Sequence, residues 1–377
     1  MTWSRDGQSL YLEIGEEANN VIYYLSNIFT DRSINLLIRN GTSHNVNVHP
    51  IDNLTFVFTH DSILEPANIY LYLSNGSSRS LTDHNKVLLA KVKMSNVAEK
   101  FSFSGYQNET VWGWHVPPAN GTNSSAPLAF LIHGGPQSSW YDAWSYRWNF
   151  QSFSSQGYAV IAINFHGSDS YGQNFTDSII GEYGSLPYED LKLGLSYALN
   201  KFPYINASRA AALGASYGGF MVNWIAGHPE MSVRFKTLIC HNGALDTRSK
   251  SYSTDELWFN EHDVGNYTPW DNPAVYEEFN PVNHVANSSF QNNEIVTCLR
   301  LPSQLIDPYQ FLAPTSIGRA LTLHMIHVRI ENIRSIRINS NWTQPMLIIV
   351  GAHDYRIPET QGIGTFTALQ RRGIPSR

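Results

Sequence analysis

The stretch "ALGASYGGF" sets Ser216 between Gly214 and Gly218, at the end of an apolar run and the start of a helix-forming one. This is a nucleophile elbow: the turn is strained, its flanks must be small, and it lifts the serine hydroxyl clear of the sheet. Gly219 adds a third small residue, and the turn aims the Tyr217 N–H into the same space. A second turn, "LIHGGP" at residues 131–136, offers another backbone donor, the N–H of Gly135. Two such donors would hold a developing oxyanion, each worth about 2.7–4 kcal/mol. The acid belongs in the loop after a later strand. "PMLIIVGAHD" ends its apolar run at Gly351 and places Asp354 beyond it, where a carboxylate would hold an imidazole in its useful tautomer. The chemistry is acyl transfer through a serine ester, and it calls for neither a metal nor a cofactor. What the pattern lacks is the base. The chain order is Ser…Asp…His, and no histidine follows Asp354. His133 belongs to the oxyanion turn and is read as structural. His353 is the direct neighbour of Asp354 and points elsewhere, while His324 and His327 precede the acid. The base is therefore expected to be absent from this chain, leaving it nearly inactive.

Such groups sit at the carboxyl ends of strands in a mostly parallel sheet. From residue 105 to 377 the sequence has the matching rhythm. Apolar runs such as "YAVIAINFHGS", "RAAALGASYGG" and "FKTLICHNGA" alternate with helical stretches such as "YEDLKLGLSYALNKF", the pattern of an α/β domain. Residues 1–104 alternate at period two instead. "WSRDGQSLYLEI" and "NNVIYYLS" are echoed by "HPIDNLTFVFTH" and "ANIYLYLSNGSSRSLT", a repeat of roughly 46–48 residues that matches a four-stranded propeller blade. Two blades do not close a ring of about four to eight, so a partial β-propeller with more chain upstream is expected. Ser288–Asn341 breaks the α/β rhythm and is read as an insert.

Composition narrows the class. The chain is 42% hydrophobic and 15% charged, with a net charge of −6 and no basic run, which argues against nucleic acid as a partner. No apolar run reaches the roughly 18 residues that span a bilayer. Asn-x-Ser/Thr sequons recur from Asn40 to Asn341, so N-linked glycans and secretion are expected, although the chain opens without a leader pattern. Cys240 and Cys298 are too few for a disulfide framework.

Taken jointly, "LIHGGPQSSW", "NFHGSDSYGQ", "GASYGGFMVNWIAGHPE" and "DELWFNEHDVGNYTPWDNP" resemble the prolyl oligopeptidase family of serine peptidases, over residues 1–287 and 341–377. The resemblance implies a β-propeller joined to an α/β-hydrolase domain, with Ser216 as nucleophile, Asp354 as acid and the N–H groups of Gly135 and Tyr217 as oxyanion donors. It implies peptide substrates from which dipeptides are released. The alternatives are an acylaminoacyl-peptidase or carboxylesterase on the same fold, or a catalytically dead truncated product. The family histidine and a final strand would lie beyond Arg377, and their absence would leave an open sheet edge. Releasing dipeptides calls for a carboxylate that anchors the substrate's free ammonium. Glu256, Glu261 and Asp263 are candidates, although charged loop residues such as these are expected to be exposed.

Overall fold

The computed structural model describes residues 1–48, 54–285 and 341–377. The insert expected at 288–341 lies outside the described residues except for Asn341, and with it lie His324 and His327.

Alternating segments at the N-terminus form two antiparallel meanders. One holds β1 (Thr2–Trp3), β2 (Leu10–Glu16), β3 (Asn19–Leu25) and β4 (Ile34–Ile38); the other holds β5 (Thr42–Val48), β6 (Phe56–Ser62), β7 (Glu65–Tyr72) and β8 (Ser78–Ser80). They meet where Asn20 of β3 pairs with Thr42 of β5. In β7 the alternation is plain: Pro66, Asn68 and Tyr72 are buried, while Glu65, Ala67 and Ile69 face solvent. The meanders share an aromatic core in which Phe56 lies 5.0 Å from Tyr11 and 4.8 Å from Tyr72, centroid to centroid.

The second sheet contains β9 (Glu99–Ser104), β10 (Thr110–Val116), β11 (Ala126–Ile132), β12 (Ala159–Asn164), β13 (Ile205–Ala215), β14 (Thr237–His241) and β15 (Met346–Ile349). Its order is β15-β14-β13-β11-β12-β10-β9. The five strands from β15 to β12 are parallel, and β10 and β9 continue antiparallel. Every residue of β12 is buried, as a strand covered on both faces requires. On one face the helix Leu186–Lys201 packs Leu191, Leu195 and Ala198 against Phe103 and Ile163. On the other, Ala18 and Ile63 from the N-terminal sheet join Trp114, Leu131 and Phe150. Backbone bonds fix that junction, Ala18 N to Ser170 Oγ at 3.0 Å and Ile63 N to Asp142 Oδ1 at 2.9 Å.

Two further details position the strand ends. His166, just past β12, donates from its backbone N (2.8 Å) and ring Nδ1 (2.6 Å) to Asp190 Oδ2, and its Nε2 lies 3.3 Å from Glu109 Oε2. The edge of β15, expected to be open, is paired instead: Ile348 N donates to Arg377 O (2.8 Å) and Arg377 N to Met346 O (3.2 Å). The unpaired N–H and C=O groups of an edge strand take up the next segment that can run beside them.

Candidate active site

Between β13 and the helix Tyr217–Ala226, Ser216 adopts φ 57° and ψ −120°. A non-glycine residue in that region is strained and must be held there. Ser216 N donates to His241 O at 3.0 Å, and Ser216 O accepts from Phe220 N at 2.9 Å. The glycines let the helix lie against the strands. A Cβ on Gly214 would stand 2.2 Å from Gly218 O, one on Gly218 would stand 2.2 Å from Ile132 O, and one on Gly219 would stand 2.7 Å from Gly243 Cα. Ser216 lines a cavity of about 310 Å³ walled by Tyr183, Phe220, Phe259 and Tyr276. A larger cavity of about 790 Å³ lies between the two sheets, beside Tyr23 and Trp112, and shares no lining residue with it.

The turn after β11 abuts the elbow: a Cβ on Gly134 would sit 3.2 Å from Ser216 Cβ. Gly135, at φ 119°, lines the Ser216 cavity together with Tyr217. Among the described residues no backbone carbonyl takes the N–H of Gly135 or of Tyr217, and Tyr217 opens its helix, where the first N–H groups have no partner within the helix. His133 is locked into its own loop, with Nδ1 2.8 Å from Gly134 O, Nε2 3.0 Å from Ser168 Oγ and its ring stacked 4.1 Å from Phe165. Burial pushes it down to about 4, against the pull of the Gly134 carbonyl, so it is a neutral structural ring at neutral pH.

Asp354 follows β15, and its carboxylate is braced on both oxygens. Oδ1 accepts from the backbone N of Arg356 (3.0 Å) and Ile357 (2.9 Å). Oδ2 accepts from Asn242 Nδ2 at 2.6 Å, and Asn242 Oδ1 accepts in turn from Gly351 N at 2.9 Å. Asn242, together with His241 at the end of β14, escaped the sequence reading. The "CHNG" closing an apolar run is the signal that could have drawn attention to both. The His241 ring lies 5.4 Å from that of Trp148, and burial lowers its pKa, Arg147 adding to that and Asp354 opposing it. His353 is exposed.

The three carboxylates expected to be exposed differ sharply. Glu256 is ion-paired with Arg356. Glu261 is half-buried and stands outside the cavity lining. Asp263 is only 2% exposed and lines the cavity. The helix Leu257–Asp263 ends against the loop at Gly181, whose N donates to Asp263 O at 2.8 Å, and this docking buries a side chain that sequence alone places on the surface. Burial raises the Asp263 carboxyl, and bonds from His262 and Gln137 pull it back only in part.

Residues 144–298 match the sequence pattern of the prolyl oligopeptidase family. Dipeptidyl-peptidase 5 of Schizosaccharomyces pombe is 37% identical over 280 residues, covering 74% of this chain and 33% of the relative. Dipeptidyl-peptidase 5 of Arthroderma otae is 30% identical over 379 residues, covering 100% of this chain and 44% of the relative. The chain thus spans less than half the length of these curated relatives. Among solved structures, an uncomplexed acylaminoacyl peptidase of Pyrococcus horikoshii superposes with a TM-score of 0.74 at 21% identity, over 98% of this chain and 48% of that one. Dipeptidyl peptidase 4 of Porphyromonas gingivalis gives 0.69 at 16% identity, over 99% and 44%. The fold is that of an α/β-hydrolase, and the chain belongs to the prolyl oligopeptidase family of peptidases.

Proposed function

We propose that this chain carries the nucleophilic half of a serine peptidase that releases dipeptides from free peptide N-termini through an acyl-enzyme. One observation carries the reading: Ser216 stands in a strained turn on a cavity also lined by Gly135 and Tyr217, two backbone donors uncommitted among the described residues. In this scheme Ser216 attacks the scissile carbonyl and the two N–H groups receive the oxyanion. Asp354, held by three donors, orients the imidazole that takes the serine proton. No imidazole among the described residues hydrogen-bonds the Ser216 hydroxyl. An arrangement without an imidazole on the Ser216 hydroxyl is expected to turn over slowly, on the order of 10⁶-fold below a complete triad. The two meanders within residues 1–104 are read as propeller blades ahead of a peptidase domain at 105–377. Exposed sequons such as Asn75, Asn120, Asn123 and Asn266 favour a secreted, glycosylated protein, and no helix among the described residues is long and apolar enough to cross a membrane.

Dipeptide nitroanilides with free or acetylated N-termini, assayed with imidazole added to the buffer as a surrogate base, test the reading. Release from the free-amine substrates supports it. Release from the acetylated ones alone overturns it in favour of an acylaminoacyl-peptidase.

A further inference from the structure

The two sheets are joined by a reciprocal pair of carboxylates. Asp61 Oδ2, on β6, accepts from Trp144 N at 3.0 Å, and Asp142 Oδ1, in the segment after β11, accepts from Ile63 N at 2.9 Å. Each aspartate stands two residues ahead of an N–H that donates to the other's carboxylate. The crossing sits on apolar ground: Ile63 is 3% exposed and packs with Ala18 and Phe150, and both aspartates are half-buried. Neither aspartate forms an ion pair among the described residues. The basic groups that reach them are committed elsewhere, His44 of β5 to Glu13 at 3.9 Å and Lys100 of β9 to Glu17 at 3.0 Å. Other titratable groups on these strands are occupied too: His60 Nδ1 lies 2.8 Å from Ser43 Oγ, and Glu65 Oε1 accepts from Asn68 Nδ2 at 2.7 Å. Two like charges are thus drawn partly out of water with no paired counter-ion, an arrangement that favours the neutral acid.

We propose that Asp61 and Asp142 form a proton-operated clasp: a proton taken from solvent tightens the N-terminal sheet onto the second sheet, and its loss loosens the junction. The clasp does not depend on the peptidase reading of Ser216. Burial raises Asp61 to about 6, with Asp142 adding to it and the Trp144 N–H and His44 opposing. Burial raises Asp142 as well, against the Ile63 N–H and Lys100. In an opened junction both carboxyls return to water and to the ordinary value of about 3.9. The closed form therefore holds its proton more tightly. Closure is fully supported below about 3.9 and loses that support as pH rises through the raised value. Because Asp61 is only half-buried, about tenfold is the upper bound for the tightening between pH 7.5 and pH 5.

Deuterium exchange of the 377-residue chain, followed by mass spectrometry on the peptides that hold Ile63 and Trp144, reads the clasp through the amides it engages. After correction for the intrinsic pH dependence of exchange, both are expected to be about three- to tenfold better protected at pH 5 than at pH 7.5, while peptides of β13 stay level. Asp61→Asn keeps an oxygen for Trp144 N and discards the charge. It is expected to match or exceed the unaltered chain's protection at pH 7.5 and to flatten the response to pH. His44→Gln removes the imidazole that acts on Asp61 and is expected to leave the response in place. Protection that is flat with pH or falls in acid overturns the proposal, as does a response that survives Asp61→Asn unchanged or vanishes in His44→Gln. A change of equal size in the β13 peptides assigns the effect to the whole fold and also counts against the clasp. Should Asp61→Asn lose its native circular dichroism, Asp142→Asn takes its place, with the same flattening expected and an unchanged response contradictory.

Discussion

Asn242 is the residue through which β14 holds Asp354 in place, and removing it should be felt in stability before any chemistry is measured. Its Nδ2 donates to the Asp354 carboxylate at 2.6 Å, a charge-assisted bond worth about 1.5–3 kcal/mol, and its Oδ1 accepts from Gly351 N at 2.9 Å, a neutral bond worth about 0.5–1.5 kcal/mol. Asn242→Ala loses both and should cost about 2–4 kcal/mol. Asn242→Asp is the more searching substitution. It keeps the acceptor for Gly351 N but sets a second carboxyl against Asp354 Oδ2. When protonated, the new carboxyl can still donate to Asp354. When both ionise, like charges face each other, so the pair binds its last proton more tightly folded than unfolded. That raised folded value means the penalty is smallest below the ordinary aspartate value of about 3.9 and grows as pH rises through the folded value. Urea unfolding of the unaltered chain, Asn242→Ala and Asn242→Asp at pH 4, 5.5 and 7.5 measures this through the midpoints. An alanine variant within about 0.5 kcal/mol of the unaltered chain, or an aspartate variant whose penalty is flat with pH, would refute the bracing argument.

Three other outcomes follow from the same geometry. Gly218→Ala drives a Cβ to 2.2 Å from Ile132 O, so the elbow must shift at a cost of about 3 kcal/mol or more; a melting temperature unchanged from the unaltered chain would contradict it. For His166, burial works downward, but the Asp190 and Glu109 carboxylates outweigh it and raise the pKa. Its stabilising contribution is complete below the ordinary histidine value of about 6.5 and fades as pH rises through the folded value, and Glu109→Gln should flatten that fall in unfolding experiments across pH 6–9. Protein recovered from a fungal secretory host should drop in apparent mass on treatment with an N-glycosidase, and no change would contradict the glycan assignment.

What the sequence revealed and what it withheld divide along the range of the forces involved. The strained turn at Ser216, the close turn at Gly135 and the loop that carries Asp354 were legible because each depends on local signals: glycines where backbone approaches backbone, and apolar runs that end at loops. The strands of the parallel sheet were legible for the same reason, since a short apolar run such as "AVIAIN" followed by turn residues suits a strand buried on both faces. Asn242 was not, because its role arises only when β14 and β15, far apart in sequence, lie side by side. Asp263 looked like an exposed loop charge because its burial depends on Gln137 and Gly181 arriving from elsewhere in the chain. The pairing of β15 with Pro375–Arg377 depends likewise on where the last residues turn, which "IPSR" does not announce.

The central proposal is that Ser216 attacks as a nucleophile, with the N–H groups of Gly135 and Tyr217 receiving the oxyanion and an imidazole taking its proton. Fluorophosphonate labelling of the 377-residue chain across a series of imidazole concentrations, with the adduct mapped by mass spectrometry, tests it most directly. Labelling should be slow without imidazole, its rate should climb with imidazole, and the adduct should lie on Ser216 and vanish in Ser216→Ala. Labelling indifferent to imidazole, or an adduct on another residue, would contradict it.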